Sequence, residues 1–186
     1  MAIKAGTYSF DENTGKIQVY TFKEGMLSTV AHDLLLDVTR FKVDLNIPSD
    51  DLSSATINVT IPANALKVVC AMKNGQQQND TLKEKDKSEI EEATNNDVLH
   101  SEKYPTISFQ STGVGKNNVG YHTTGELTLH GVTNTIEFDC ELTVESILKG
   151  SVDLMQKEYG IKPYKALLGA LKVKNNITIA FSFPLK

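Results

Sequence analysis

The sequence predicts an all-β protein built from antiparallel strands, each buried on one face and wet on the other. Two observations carry that expectation. Apolar and polar residues alternate with a period of two along many segments, which places them on opposite faces of extended backbone. Short runs of turn-forming residues separate those segments, among them Glu12-Asn13-Thr14-Gly15, Pro48-Ser49-Asp50-Asp51, Gly115-Lys116-Asn117-Asn118 and Lys174-Asn175-Asn176. Linkers this short join antiparallel neighbours, not parallel strands with helical crossovers.

In chain order, Ile17–Phe22 reads as a strand. Leu34, Leu36 and Val38 then alternate in one phase, and Phe41, Val43, Leu45 and Ile47 in the opposite phase. The slip near Thr39-Arg40 predicts a bulge, because an uncorrected slip turns every later side chain to the wrong face. Ile57, Val59 and Ile61 define the next strand. Met72 to Asp97 is rich in Lys, Glu, Asp, Asn and Gln and lacks strand character. Within it Thr81-Leu82-Lys83-Glu84 reads as a capping box opening a helix. Leu82, Ile90 and Ala93 give that helix only a thin apolar stripe, so it is a solvated surface helix or a lid over one end of the sheet.

Strands follow at Thr106–Val114 and Val119–His130. The clearest alternation runs from Thr135 to Glu145, with Ile136, Phe138, Cys140, Leu142 and Val144 on one face and Glu137, Asp139, Glu141 and Glu145 on the other. Leu148–Met155 extends the series, and a short helix is expected at Pro163–Leu168, ended by Gly169. Ile177, Ile179, Phe181 and Phe183 close it. That makes about eight half-wet strands, a sheet that needs either a partner sheet or closure on itself.

Composition narrows the function. The 186 residues are enough for one domain over 1–186, and the formal net charge is −4, from 19 basic and 23 acidic side chains. A pI near 5.6 argues against a general binder of nucleic-acid backbones. No apolar run approaches the roughly 18–20 residues of a membrane helix. No glycine-rich phosphate loop and no nucleophile motif occurs, so no cofactor is implied and no local feature supports an enzyme. His32, His100, His122 and His130 lack zinc-type spacing, which implies no metal. His32, at the edge of an apolar run, is a hydrogen-bonded structural residue or a polar contact for a ligand. His130 ends a strand in the phase of Glu126 and Thr128, near solvent. Cys70 and Cys140 are expected as reduced or buried thiols. The start of the chain reads as cytoplasmic, or as periplasmic if a signal peptide was removed.

The stretch Leu99-His100-Ser101-Glu102-Lys103-Tyr104-Pro105-Thr106-Ile107-Ser108-Phe109-Gln110-Ser111-Thr112 and the later Gly125-Glu126-Leu127-Thr128-Leu129-His130-Gly131-Val132-Thr133 together resemble the YceI-like family of bacterial lipid-binding proteins. Val30-Ala31-His32 is similar to that family's early strand, and Gly160-Ile161 with the final alternating strand to its C-terminal part. The resemblance implies an eight-stranded, lipocalin-like antiparallel barrel enclosing a long-chain amphiphile, with a polyisoprenoid such as a quinone tail favoured. It implies a carrier or store and not an enzyme, and it suggests a homodimer. Ile57, Val59, Phe109, Phe138, Leu142 and Phe181 face inward by their alternation and are the candidate lipid contacts, with His32 as the polar one. Two rivals remain. An enzyme acting on a small hydrophobic substrate would use His32 or His130 as base. A structural or stress-related interaction protein with a filled core would contain no continuous apolar cavity of roughly 300 Å³ or more.

Overall fold

The computed structural model describes residues 4–24, 32–166, 168 and 171–185. Its strands are β1 (Gly6–Phe10), β2 (Lys16–Glu24), β3 (Asp33–Val38), β4 (Lys42–Ile47), β5 (Thr56–Pro62), β6 (Leu66–Lys73) and β7 (Gln76–Gln78). After helix α1 (Glu84–Ala93) come β8 (Thr106–Lys116), β9 (Tyr121–Leu129), β10 (Val132–Leu142), β11 (Ile147–Met155), β12 (Lys165–Ala166) and β13 (Leu171–Pro184). All belong to one sheet of 13 strands, in the order β1-β4-β5-β8-β9-β10-β11-β13-β2-β3-β6-β7, with β12 added beside β13. The sheet curls into a half-barrel. Among the described residues its end strands, β1 and β7, do not pair with each other, so side chains and not hydrogen bonds complete the enclosure.

The strand count therefore exceeds the eight expected from alternation. The additional strands are those whose alternation is interrupted or too short to register. In β6 the register with β3 shifts between Leu35 and Leu36, with Val69 as the extra residue, and the neighbours Cys70 and Ala71 beyond it are both buried. Strand β7 is three glutamines, and it shows that Met72–Asp97 is not wholly without strand structure. At the expected helix Pro163–Leu168, Lys165 and Ala166 instead pair with Lys172 and Leu171. Gly169 lies outside the described residues, as do Val30 and Ala31 of the early motif.

The phase slip at Thr39-Arg40 is not a bulge. Strand β3 lies between β2 and β6, whereas β4 lies between β1 and β5, so the slip marks the chain crossing from one part of the sheet to another. Thr39 fixes this corner by donating both its N–H (2.8 Å) and its hydroxyl (2.9 Å) to the Ala65 carbonyl.

Helix α1 starts three residues after the expected cap. The backbone N–H of Lys83 donates to the Asp86 carboxylate at 2.9 Å, the second half of a capping box transferred downstream. The helix lies along β6, where Glu91 accepts from Lys67 Nζ (2.6 Å) and from the Val68 N–H (2.9 Å). None of its residues is buried, and none lines the interior cavity described below.

Candidate functional site

The inward faces of the strands enclose a cavity of about 200 Å³, lined by side chains from almost every strand of the sheet. Its wall is apolar. Gln156 is the polar side chain of note, and it turns its amide to the Lys174 carbonyl at 2.8 Å, which satisfies it away from the cavity. Cys140 faces inward as well. Its thiol sits 3.9 Å from the Thr123 hydroxyl, and burial pushes its pKa up, so it stays a neutral, unreactive thiol. A cavity of this kind favours hydrocarbon over water, since an engineered apolar cavity of about 150 Å³ stays dry yet takes up benzene.

The cavity lies between two packed regions. One contains Phe10, Phe41, Ile47, Leu52 and Phe183; the other contains Leu99, Leu129, Leu154, Tyr159 and Ile161. Ile57, Val59, Leu66, Ile177 and Ile179 touch both regions and are only partly buried although they face inward, because what they face is the cavity.

Every phenylalanine except Phe22 joins a continuous array, and all of these but Phe41 line the cavity. Ring centroids are 5.6 Å apart for Phe109–Phe138, 5.5 Å for Phe138–Phe181, 5.8 Å for Phe181–Phe183 and 5.1 Å for Phe183–Phe10, and Phe41 meets Phe183 at 6.1 Å. These spacings are those of favourable aromatic pairs. Glycines make room for the rings. A Cβ at Gly150 would lie 2.7 Å from Phe181 Cζ, and one at Gly15 would lie 2.7 Å from Phe183 Cε1; at Gly125 it would overlap the Phe109 ring. Each ring thus lies back against bare backbone, leaving the cavity its width.

A polar cluster borders the second region. The His130 ring is 4.3 Å from Tyr104 and 5.4 Å from His100 by centroid. His130 Nδ1 donates to the Tyr159 carbonyl at 3.1 Å, and since a carbonyl only accepts, that nitrogen carries the proton. Nε2 is then a bare acceptor, buried without a partner among the described residues. Burial lowers the His130 pKa, and the nearby His100 and Lys103 add to the effect. On the outer surface His122 Nδ1 bonds Asp139 at 2.8 Å, and that bond raises the His122 pKa. Among the described residues no group of side chains is arranged to hold a metal ion.

Of the residues picked out by sequence, Ile57, Val59, Phe109, Phe138 and Phe181 line the cavity. Leu142 faces inward but packs against the phenylalanine-rich region, beyond the cavity. His32 is half-buried beside β3 and does not line it, and neither does His130. Sequence reasoning passed over Phe10, Ile136, Ile177 and Ile179. Ile136, Ile177 and Ile179 share a face with Phe138 and Phe181, so parity already contained them. Phe10 sits on a strand too short to stand out.

Several known proteins share this architecture. BcnA of Burkholderia cenocepacia aligns with a TM-score of 0.66 at 13% identity, over 90% of this chain and 94% of its own. A polyisoprenoid-binding domain from Saccharophagus degradans, implicated in plant cell wall breakdown, aligns with a TM-score of 0.58 at 10% identity, over 96% and 97%. A mutant CJ YCEI protein with a monobromobimane guest aligns at 0.57 and 14% identity, over 87% and 86%. At such identities these likenesses speak for the fold. The UPF0312 protein plu2095 of Photorhabdus laumondii is 45% identical over 49 residues, and the match spans 26% of either chain. The YceI-like domain model matches residues 8–185, nearly the whole sequence, and the chain therefore belongs to the YceI-like family.

Proposed function

We propose that the protein binds a long-chain amphiphilic lipid in the cavity, favoured a polyisoprenoid with a quinone-type tail, and acts as a carrier or store and not as an enzyme. The observation that carries this reading is the apolar cavity between two separately packed regions. Unfilled, a 200 Å³ apolar cavity would cost about 5 kcal/mol at roughly 24 cal/mol per Å³. That is comparable to the whole stability of many domains, about 5–15 kcal/mol. A hydrocarbon chain offsets this cost, contributing about 25 cal/mol for each Å² of apolar surface removed from water.

The volume lies below the roughly 300 Å³ that separates a ligand site from a filled core, so by size alone the filled-core rival stands; the continuous apolar lining, drawn from almost every strand, is what supports a bound segment of a chain. A full polyisoprenoid requires rings of the phenylalanine array to swing aside. The match to the YceI-like model and the polyisoprenoid-binding domain among the structural relatives support the ligand class. The enzyme reading gains nothing from the histidines, because neither His32 nor His130 lines the cavity.

Native mass spectrometry of the purified protein, followed by lipid extraction, tests the proposal. The expected result is a lipid adduct, and uptake of added prenyl quinones in preference to fatty acids. A protein that stays bare and takes up neither class would overturn it.

A further inference from the structure

Residues 155–175 carry five lysines, Lys157, Lys162, Lys165, Lys172 and Lys174, against a single acid, Glu158, in a chain whose net charge is −4. The rest of the molecule carries 14 basic and 22 acidic side chains, so this stretch is a local excess of positive charge on an acidic protein. The fold draws these lysines together. Lys165 and Lys172 are direct cross-strand partners in β12 and β13. The Val173 N–H donates to the Tyr164 carbonyl at 3.0 Å, the Lys157 N–H to Asn175 Oδ1 at 2.9 Å, and the Gln156 amide to the Lys174 carbonyl.

Like charges directly opposite across two strands destabilise the pair. Glu24 lies on the other side of Lys172 in the register, yet none of the five lysine side chains forms an ion pair among the described residues. Large apolar side chains stand exposed in the same stretch: Met155, and Leu168, which is open to solvent over its whole surface. Lysines around exposed apolar side chains form the combination that seats a protein on an anionic bilayer, with the charge drawn to the headgroups and the apolar side chain entering the acyl boundary.

We infer that this basic face is a docking surface for an anionic lipid bilayer. The inference rests on the lipid-carrying reading, and it adds where the lipid is exchanged. Gln156 and Ile161, within the same segment, line the cavity, so docking here presents that end of the cavity to the membrane. The advantage is physical. A chain crossing open water exposes apolar surface along its whole length, and a docked protein spares it that exposure. The acidic remainder of the surface is repelled by an anionic bilayer, which fixes the orientation.

Co-sedimentation with vesicles of phosphatidylcholine alone, and of phosphatidylcholine with phosphatidylglycerol, provides the test. The wild-type protein is expected to bind the phosphatidylglycerol vesicles, to leave them at high salt and to ignore the neutral ones. The triple variant K165Q/K172Q/K174Q should bind about a hundredfold more weakly, at about fivefold per lysine. Leu168→Ser should weaken binding several-fold without altering its salt dependence. Uptake of the apolar fluorophore N-phenyl-1-naphthylamine in solution, read alongside, should be equal in the wild type and all variants.

Equal binding to both vesicle types, or a triple variant that binds like wild type, would overturn the inference while leaving the carrier reading intact. So would binding to polyglutamate with no vesicle binding, which assigns the face to an acidic protein. Absence of fluorophore uptake by the wild type would instead count against the carrier reading, whatever the vesicles show.

Discussion

The cavity's two flanking regions are packed by different means. At the first, Phe10, Phe41 and Phe183 interlock with Val43, Leu45, Ile47 and Leu52, all buried. At the second, fewer buried apolar residues meet a polar cluster of His100, Tyr104, His130 and the Tyr159 carbonyl, in which one buried nitrogen has no partner among the described residues. A buried acceptor left unsatisfied costs about 1–3 kcal/mol, so the second region starts from a deficit that the first does not carry. The first region is closed by interlocked aromatic rings, whereas the second sets its apolar residues beside a polar cluster that is not fully satisfied among the described residues, which makes it the less stable of the two. The basic face adjoins this second region through Tyr159 and Ile161.

The largest expected effect tests that contrast with one residue type. Phe183→Ala, where the plug meets the cavity wall and the ring is buried, should lose about 3–5 kcal/mol, as buried phenylalanine truncations do. Phe138→Ala, on the partly exposed cavity wall, should lose no more than about 2 kcal/mol, since part of its surface already faces the cavity. It should also admit bulkier apolar probes. Urea unfolding of the two variants side by side decides the matter, and equal losses would mean that the cavity wall is packed as tightly as the plug.

A methyl group at Gly150 gives the next largest effect. The new Cβ meets Phe181 Cζ and the Asp139 carbonyl oxygen, each at 2.7 Å, and drives the ring into the cavity. Gly150→Ala should cost about 1–3 kcal/mol, the usual range for overpacking, and reduce uptake of an apolar fluorophore. Adding Phe181→Leu should restore uptake. If Gly150→Ala destabilises the fold but leaves uptake unchanged, the glycine serves packing alone.

The smallest effect is a pH dependence confined to the second region. The folded state lowers the His130 pKa, so the unfolded chain binds a proton more readily, and stability should fall as pH drops below about 6.5. His122 acts in the opposite sense, because Asp139 raises its pKa, and its contribution is lost as pH rises. Thermal unfolding from pH 8 to pH 5 should therefore show an acid-side decline in the wild type that His130→Asn removes. An unchanged profile in that variant would place the titration elsewhere.

How far the sequence could be read varies with the kind of element. Strand β10 was legible over most of its length, because Ile136, Phe138 and Cys140 alternate without interruption against Glu137, Asp139 and Glu141. The same parity identified the cavity wall at Ile57, Val59, Phe109 and Phe181. Strand β6 was not legible, since the extra residue Val69 shifts its phase and the successive residues Cys70 and Ala71 are both buried, which erases the period. Strand β1 was missed because five residues carry too little pattern to register.

By itself the sequence determined which side of each regular strand is apolar, since a period of two is a property of extended backbone whatever surrounds it. The YceI-like strings also lay in the sequence, before any contact between them was known. Only the tertiary structure decided which inward residues border the cavity and which close it. Phe138 and Leu142 stand on the same face of β10, four positions apart. One faces the cavity and the other packs against the phenylalanine plug, because the plug is assembled from Phe10, Phe41 and Phe183, whose strands meet only once the sheet has curled. Distance along a strand carries no record of what lies opposite, and that is set by long-range packing alone.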